Sequence, residues 1–142
     1  MNSISQFLIG GLFIVSVCAC ANTDADAAKL VWQQTSENGV FDVTLDAQVD
    51  DSVEINQLLE WILTVKTATG EVVTPARISV GGGMRAHGHG LPTQPQISEY
   101  LGEGKYLVKG LKFNMNGNWA LAFDIDAEDR KDKVVFELKI DV

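Results

Sequence analysis

Beyond residue 20 the chain contains no cysteine. That absence excludes an intradomain disulfide, a thiolate nucleophile and a zinc–thiolate cluster from whatever folds there. Residues 1–22 lack any Lys, Arg, Asp or Glu, so all 19 acidic and 11 basic residues, and the net charge of −8, belong to the remainder. An acidic domain repels phosphate backbones, so nucleic acid is not an expected partner, and anionic lipid head groups offer no attraction. No apolar run reaches the roughly 20 residues of a membrane-spanning helix. No G-x-S-x-G motif is present, and Ser79 has no orienting acid nearby in sequence, so an enzyme is not expected.

The longest apolar run is Phe7 to Ala21, fifteen residues. A short N-terminal run followed by small residues reads as a signal peptide, residues 1–20. It ends Val17-Cys18-Ala19-Cys20, which resembles a bacterial lipobox, with an aliphatic residue three before the cysteine and a small one just before it. Lipidation at Cys20 is the expectation, with simple secretion as the alternative because Ala19-Cys20-Ala21 also fits small-x-small cleavage. The location expected is the bacterial cell envelope, on the periplasmic side. Residues 21–29 are small and polar and read as a flexible tether, and the folded domain spans residues 30–142.

That domain alternates with period two. Phe41, Val43, Leu45 and Ala47 share one face, as do Leu59, Trp61, Leu63 and Val65. Ala76, Ile78 and Val80 form a third set, and Val134, Phe136, Leu138, Ile140 and Val142 a fourth. Such runs predict half-buried antiparallel strands and no long helix. The fold class predicted is all-β, an immunoglobulin-like antiparallel β-sandwich of about seven strands. Trp61 and Trp119 are expected in the core. Side-chain parity across Phe113, Met115, Trp119 and Leu121 predicts a hairpin with a three-residue loop at 116–118, and Gly110 is a candidate bulge where the apolar phase shifts. The acidic stretch Asp124 to Asp132 lacks the spacing of a calcium loop and reads as a solvated turn.

The chemistry concentrates in Gly81-Gly82-Gly83-Met84-Arg85-Ala86-His87-Gly88-His89-Gly90-Leu91-Pro92. It holds both histidines of the chain, two residues apart. In extended chain that spacing turns both imidazoles to one face, where they can converge on one ion. Met84, and Met115 if its loop lies alongside, would add a thioether. Imidazole suits copper, zinc or nickel, and thioether adds preference for Cu(I), so copper is the expected metal, with His87, His89, Met84 and Met115 as candidate ligands. The competing reading is a conformationally demanding loop whose histidines serve only local hydrogen bonds. Gly81 to Ala86 also fits G-x-G-x-x-A, but Gly88, Gly90 and Pro92 break the helix that a dinucleotide site needs.

The stretch from Met84 to Phe123 resembles the YtkA-like domain family of small bacterial envelope proteins. The residues that carry the resemblance are Met84-Arg85-Ala86-His87-Gly88-His89-Gly90, Pro92 and Pro95, Gly104-Lys105-Tyr106, and Phe113 to Leu121. It implies a β-sandwich in an exported or membrane-tethered protein. Arg85-Ala86 stands where another version of the loop would carry Pro-Gly or a second Met. The function expected is a lipid-anchored envelope protein whose sandwich binds copper through a Met/His loop. The alternative is a non-catalytic accessory domain whose partner is an envelope protein or membrane-transport complex.

Overall fold

A computed structural model of the chain describes residues 29–141. The signal peptide, Cys20, residues 21–28 of the tether and Val142 lie outside the described residues. Among the described residues nine strands form two antiparallel sheets. The first sheet has the order β1-β2-β3-β7-β6, from β1 (Val31–Thr35), β2 (Phe41–Asp46), β3 (Leu59–Thr67), β7 (Lys105–Leu111) and β6 (Gln96–Gly102). The second has the order β5-β4-β8-β9, from β5 (His89–Gly90), β4 (Arg77–Met84), β8 (Gly117–Ala127) and β9 (Arg130–Ile140). This is the all-β, two-sheet sandwich expected, with more strands than the seven or so predicted because edge pieces such as the two-residue β5 count separately. Among the described residues the helical structure is one 3₁₀ turn, Arg85–His87.

Period-two patterning decides which side of each strand is dry. Phe41, Val43, Leu45, Trp61, Leu63 and Val65 from the first sheet meet Trp119, Leu121, Phe123, Phe136 and Leu138 from the second, all buried. An aromatic chain binds the sheets together at one end. Trp32 stacks on Trp61 at 5.5 Å, Trp61 meets Phe113 at 5.6 Å, and Phe113 packs edge-on to Trp119 at 5.3 Å. Each such contact adds about 0.5–1.5 kcal/mol to the burial itself.

The predicted hairpin at 116–118 does not form. Phe113 is not paired with Leu121, because β7 pairs with β3 and β6 while β8 pairs with β4 and β9. The segment 112–116 instead carries the chain from one sheet to the other. Parity misled here because both sheets turn their inner faces to one core, so a crossover satisfies the same alternation as a hairpin. Gly110 is a bulge as expected: Leu59 opposes Leu111 while Glu60 opposes Lys109, which leaves Gly110 as the extra residue, at φ +81°.

The acidic stretch also differs from a simple solvated turn. Asp124 and Asp126 lie in β8 and pair with Lys133 and Lys131 of β9. Asp132 is buried and ties β9 to the turn between β1 and β2. Its carboxylate accepts hydrogen bonds from Ser36 Oγ at 2.6 Å, Asn38 Nδ2 at 2.8 Å and the amides of Asn38, Val40 and Lys133 at 2.9, 3.3 and 2.8 Å. Burial pushes its pKa upward, but the bonds from Ser36, Lys133 and Asn38 outweigh that and hold the carboxyl well below the usual carboxylate range.

Candidate functional site

The glycine-rich motif spans the end of β4, the 3₁₀ turn and β5. Gly82 and Gly83 sit at φ +150° and +155°, which L side chains rarely adopt. Space forbids a side chain as well. A Cβ on Gly82 would lie 2.2 Å from the carbonyl oxygen of Ala120, and one on Gly83 would lie 2.0 Å from that of His89. The glycines thus let β4 lie against β8 on one side and let the chain fold back as β5 on the other. Gly88 then closes the 3₁₀ turn in the left-handed region, its amide donating to the carbonyl of Arg85 at 3.3 Å.

This backbone sets the histidines side by side. His87 ends the turn, His89 begins β5, and both are exposed. Their ring centroids are 6.0 Å apart, with planes inclined by 23°. No residue of the 3₁₀ turn is buried, so hydrophobic burial does not account for its conformation. Two nitrogens on one ion at metal–nitrogen distances of about 2.0–2.1 Å lie roughly 3–4 Å apart. Rotation of two exposed side chains brings the rings from their present separation to that spacing.

The two methionines sit differently. Met84 opposes His89 in the ladder, which brings their Cβ atoms to about 5 Å. Its side chain is only 3 % exposed, however, and belongs to the core. A Cβ on Gly117 would lie 2.7 Å from Met84 Cε, so the thioether end rests under the start of β8. Met115, two residues earlier in the chain, packs against the core but is only partly buried, and its carbonyl accepts from Trp119 Nε1 at 3.1 Å. The structure thus brings His87, His89 and Met84 into one loop, with Met84 facing inward, and sets Met115 near the segment that covers Met84. Among the described residues no three His, Cys, Asp or Glu side chains cluster as metal ligands would, so any site here rests on the imidazole pair with thioether or solvent.

Arg85, two residues before His87, pairs with Glu137 at 3.4 Å with both side chains more than half exposed, and Lys133 lines the same groove as Arg85 and His89. Neither Glu137 nor Lys133 was legible here, because only the registers of β9 with β8 and of β8 with β4 bring them to this face. The conformational role of Gly82 and Gly83 was visible only as glycine richness.

No curated protein matches this chain. Among solved structures, the ZirS C-terminal domain matches with a TM-score of 0.39 and 11 % identity, over 96 % of this chain and 86 % of that one. The family model described as YtkA-like matches residues 34–124, which take in eight of the nine strands in whole or in part and the whole histidine loop. With that match covering more than half of its length, the chain belongs to the YtkA-like family.

Proposed function

We propose that this protein is an exported envelope protein, lipid-anchored through Cys20, whose β-sandwich binds one copper ion through His87 and His89. The observation that carries the reading is the imidazole pair itself, 6.0 Å apart at the end of a turn whose own residues bury nothing, flanked by Gly82 and Gly83, which have no room for a side chain, and by the left-handed Gly88. Glycine adopts such backbone without strain, so the loop shape that sets the two imidazoles side by side is written into the sequence. Imidazole suits copper, and a thioether extends the preference toward Cu(I). This reading assigns that thioether to Met115, which is only partly buried. Met84 anchors the loop by packing. The protein is not an enzyme in this reading, and copper is its cargo.

Coordination requires neutral imidazole, so affinity falls as the solution is made acidic. Equilibrium dialysis of the purified protein against Cu(II), and against Cu(I) under reducing conditions, tests the reading. The parent takes up one copper per chain, and the double variant His87→Ala/His89→Ala takes up none while keeping its far-UV dichroism. If the parent takes up no copper, or the double variant binds as the parent does, the site is absent. The domain is then a non-catalytic accessory module that binds an envelope protein partner.

A further inference from the structure

The place where the chain enters the domain and the place where it carries its histidines are one end of the sandwich. Leu30 is fixed there by its amide donating to Val49 and its carbonyl accepting from Ala47, both at 3.0 Å. β1 starts at that end, β2 finishes there, and β3 begins there opposite the end of β7. The amide of Asn56 donates to Phe113 at 2.7 Å, and segment 112–116 crosses from that point to the start of β8. The aromatic chain from Trp32 to Trp119 runs across the same end. Beside Trp119, Ala120 pairs with Gly83, and β4 then leads directly into the 3₁₀ turn and His89. The opposite end holds the β1–β2 turn, where Glu37 N donates to Lys133 O, and the turn at Glu128 and Asp129.

We infer that the histidine end faces the membrane to which the protein is tethered. The inference rests on the anchor at Cys20 proposed above. Nine residues, 21–29, join that cysteine to Leu30. The ten Cα–Cα steps from Cys20 to Leu30 span at most about 33–36 Å. The eleven-residue β8 is about 36 Å long, so the far end reaches the bilayer only if the tether is drawn out to its full length alongside the domain. Leu58, 71 % exposed, and Val31, 43 % exposed, lie at the entry end and add apolar surface on the side that meets lipid. The occupant of this end is the bilayer surface itself. Any partner that exchanges metal with His87 and His89 is therefore embedded in that membrane or lies on it, and a partner diffusing in the aqueous compartment meets the far end instead.

Energy transfer to the bilayer tests this. Full-length protein extracted from membranes is placed in zwitterionic vesicles carrying an acceptor-labelled lipid. A donor dye is attached through Gln57→Cys in one preparation and Asp129→Cys in another, both at exposed positions. The lipid-modified Cys20 sulfur is a thioether and takes no maleimide. The expected result is at least about twofold more efficient transfer from position 57. Equal transfer, or more from position 129, overturns the orientation while leaving the anchor and the copper site standing. Protein that does not float with the vesicles overturns the anchor and the orientation together, and the copper titration is unaffected by either outcome.

Discussion

Replacing Asp132 with Ala removes an acceptor that five donors share. Ser36 is only 4 % exposed and Asp132 9 %, so water does not readily take the place of the lost carboxylate. A net hydrogen bond to a charged group contributes about 1.5–3 kcal/mol, but these five are coupled and do not add. The long bond from Val40, at 3.3 Å, contributes least, and Ser36 keeps its second role as acceptor for the amide of Phe41 at 2.8 Å. A loss of about 3 kcal/mol at neutral pH follows, near the upper range for single substitutions. The pH dependence carries the sharper test. The folded carboxyl titrates below its ordinary value of 3.8. A depressed carboxylate contributes stability that is complete above the unfolded pKa and fades as pH falls toward the folded one. The gap between parent and variant therefore stays level from pH 7 to about 5, then narrows by about 1.4 kcal/mol for each unit below roughly 4. Urea unfolding at pH 7, 5 and 3 measures it. A neutral-pH difference under 1 kcal/mol, or a gap that does not shrink at pH 3, would refute the claim that the charged form of Asp132 latches the two sheets.

Gly83→Ala keeps both histidines but drives a methyl group into the His89 carbonyl, so copper uptake should fall at least tenfold while unfolding shows a loss of about 1–3 kcal/mol; unchanged uptake would show that the loop geometry does not matter. Gly104→Ala sets a Cβ 2.5 Å from the Val65 carbonyl at φ +76° and should cost at least as much stability with no change in copper uptake. Removing the exposed Arg85–Glu137 pair by Glu137→Gln should change stability by less than about 1 kcal/mol, measured in the same assay. Burial holds the Tyr106 hydroxyl, which donates to Val73 O at 2.7 Å, above the ordinary tyrosine range. A raised acid of this kind stabilises the fold fully below about pH 10 and is lost above it, so Tyr106→Phe should lower stability by about 1 kcal/mol at pH 8 and remove part of the parent's alkaline instability.

Much of the fold could be read directly because burial imposes period two. The core faces of β2, β3 and β9 match the alternating sets, and Gly110 announced its bulge through the change of phase. Pairing was less legible. Alternation states which side of a strand is dry but not which strand lies beside it, and so the crossover at 112–116 looked like a hairpin. Asp132 escaped for a related reason. Its neighbours in sequence are charged, while the donors that bury it come from Ser36, Asn38 and Val40, almost a hundred residues away. At the candidate site the two histidines lie side by side, but a 3₁₀ turn and the left-handed Gly88 bring them together rather than the extended chain that the spacing argument assumed. Sequence proximity overstated Met84, because a residue three before His87 can still point into the core.

The free edge at β6 has a consequence for crowding. This strand is mostly exposed and pairs on one side only, with β7. Its ladder slips between Ile97 and Glu99 and again between Tyr100 and Gly102. Proteins confined to a surface meet one another far more often than in free solution, and they meet in similar orientations. A straight edge carrying the exposed Tyr100 and Leu101 would offer each neighbour a template, and rows of domains could zip into fibres. Two irregularities within seven residues leave no stretch of regular donors and acceptors long enough for an incoming strand to follow. The slips in β6 thus guard this edge against templated self-pairing.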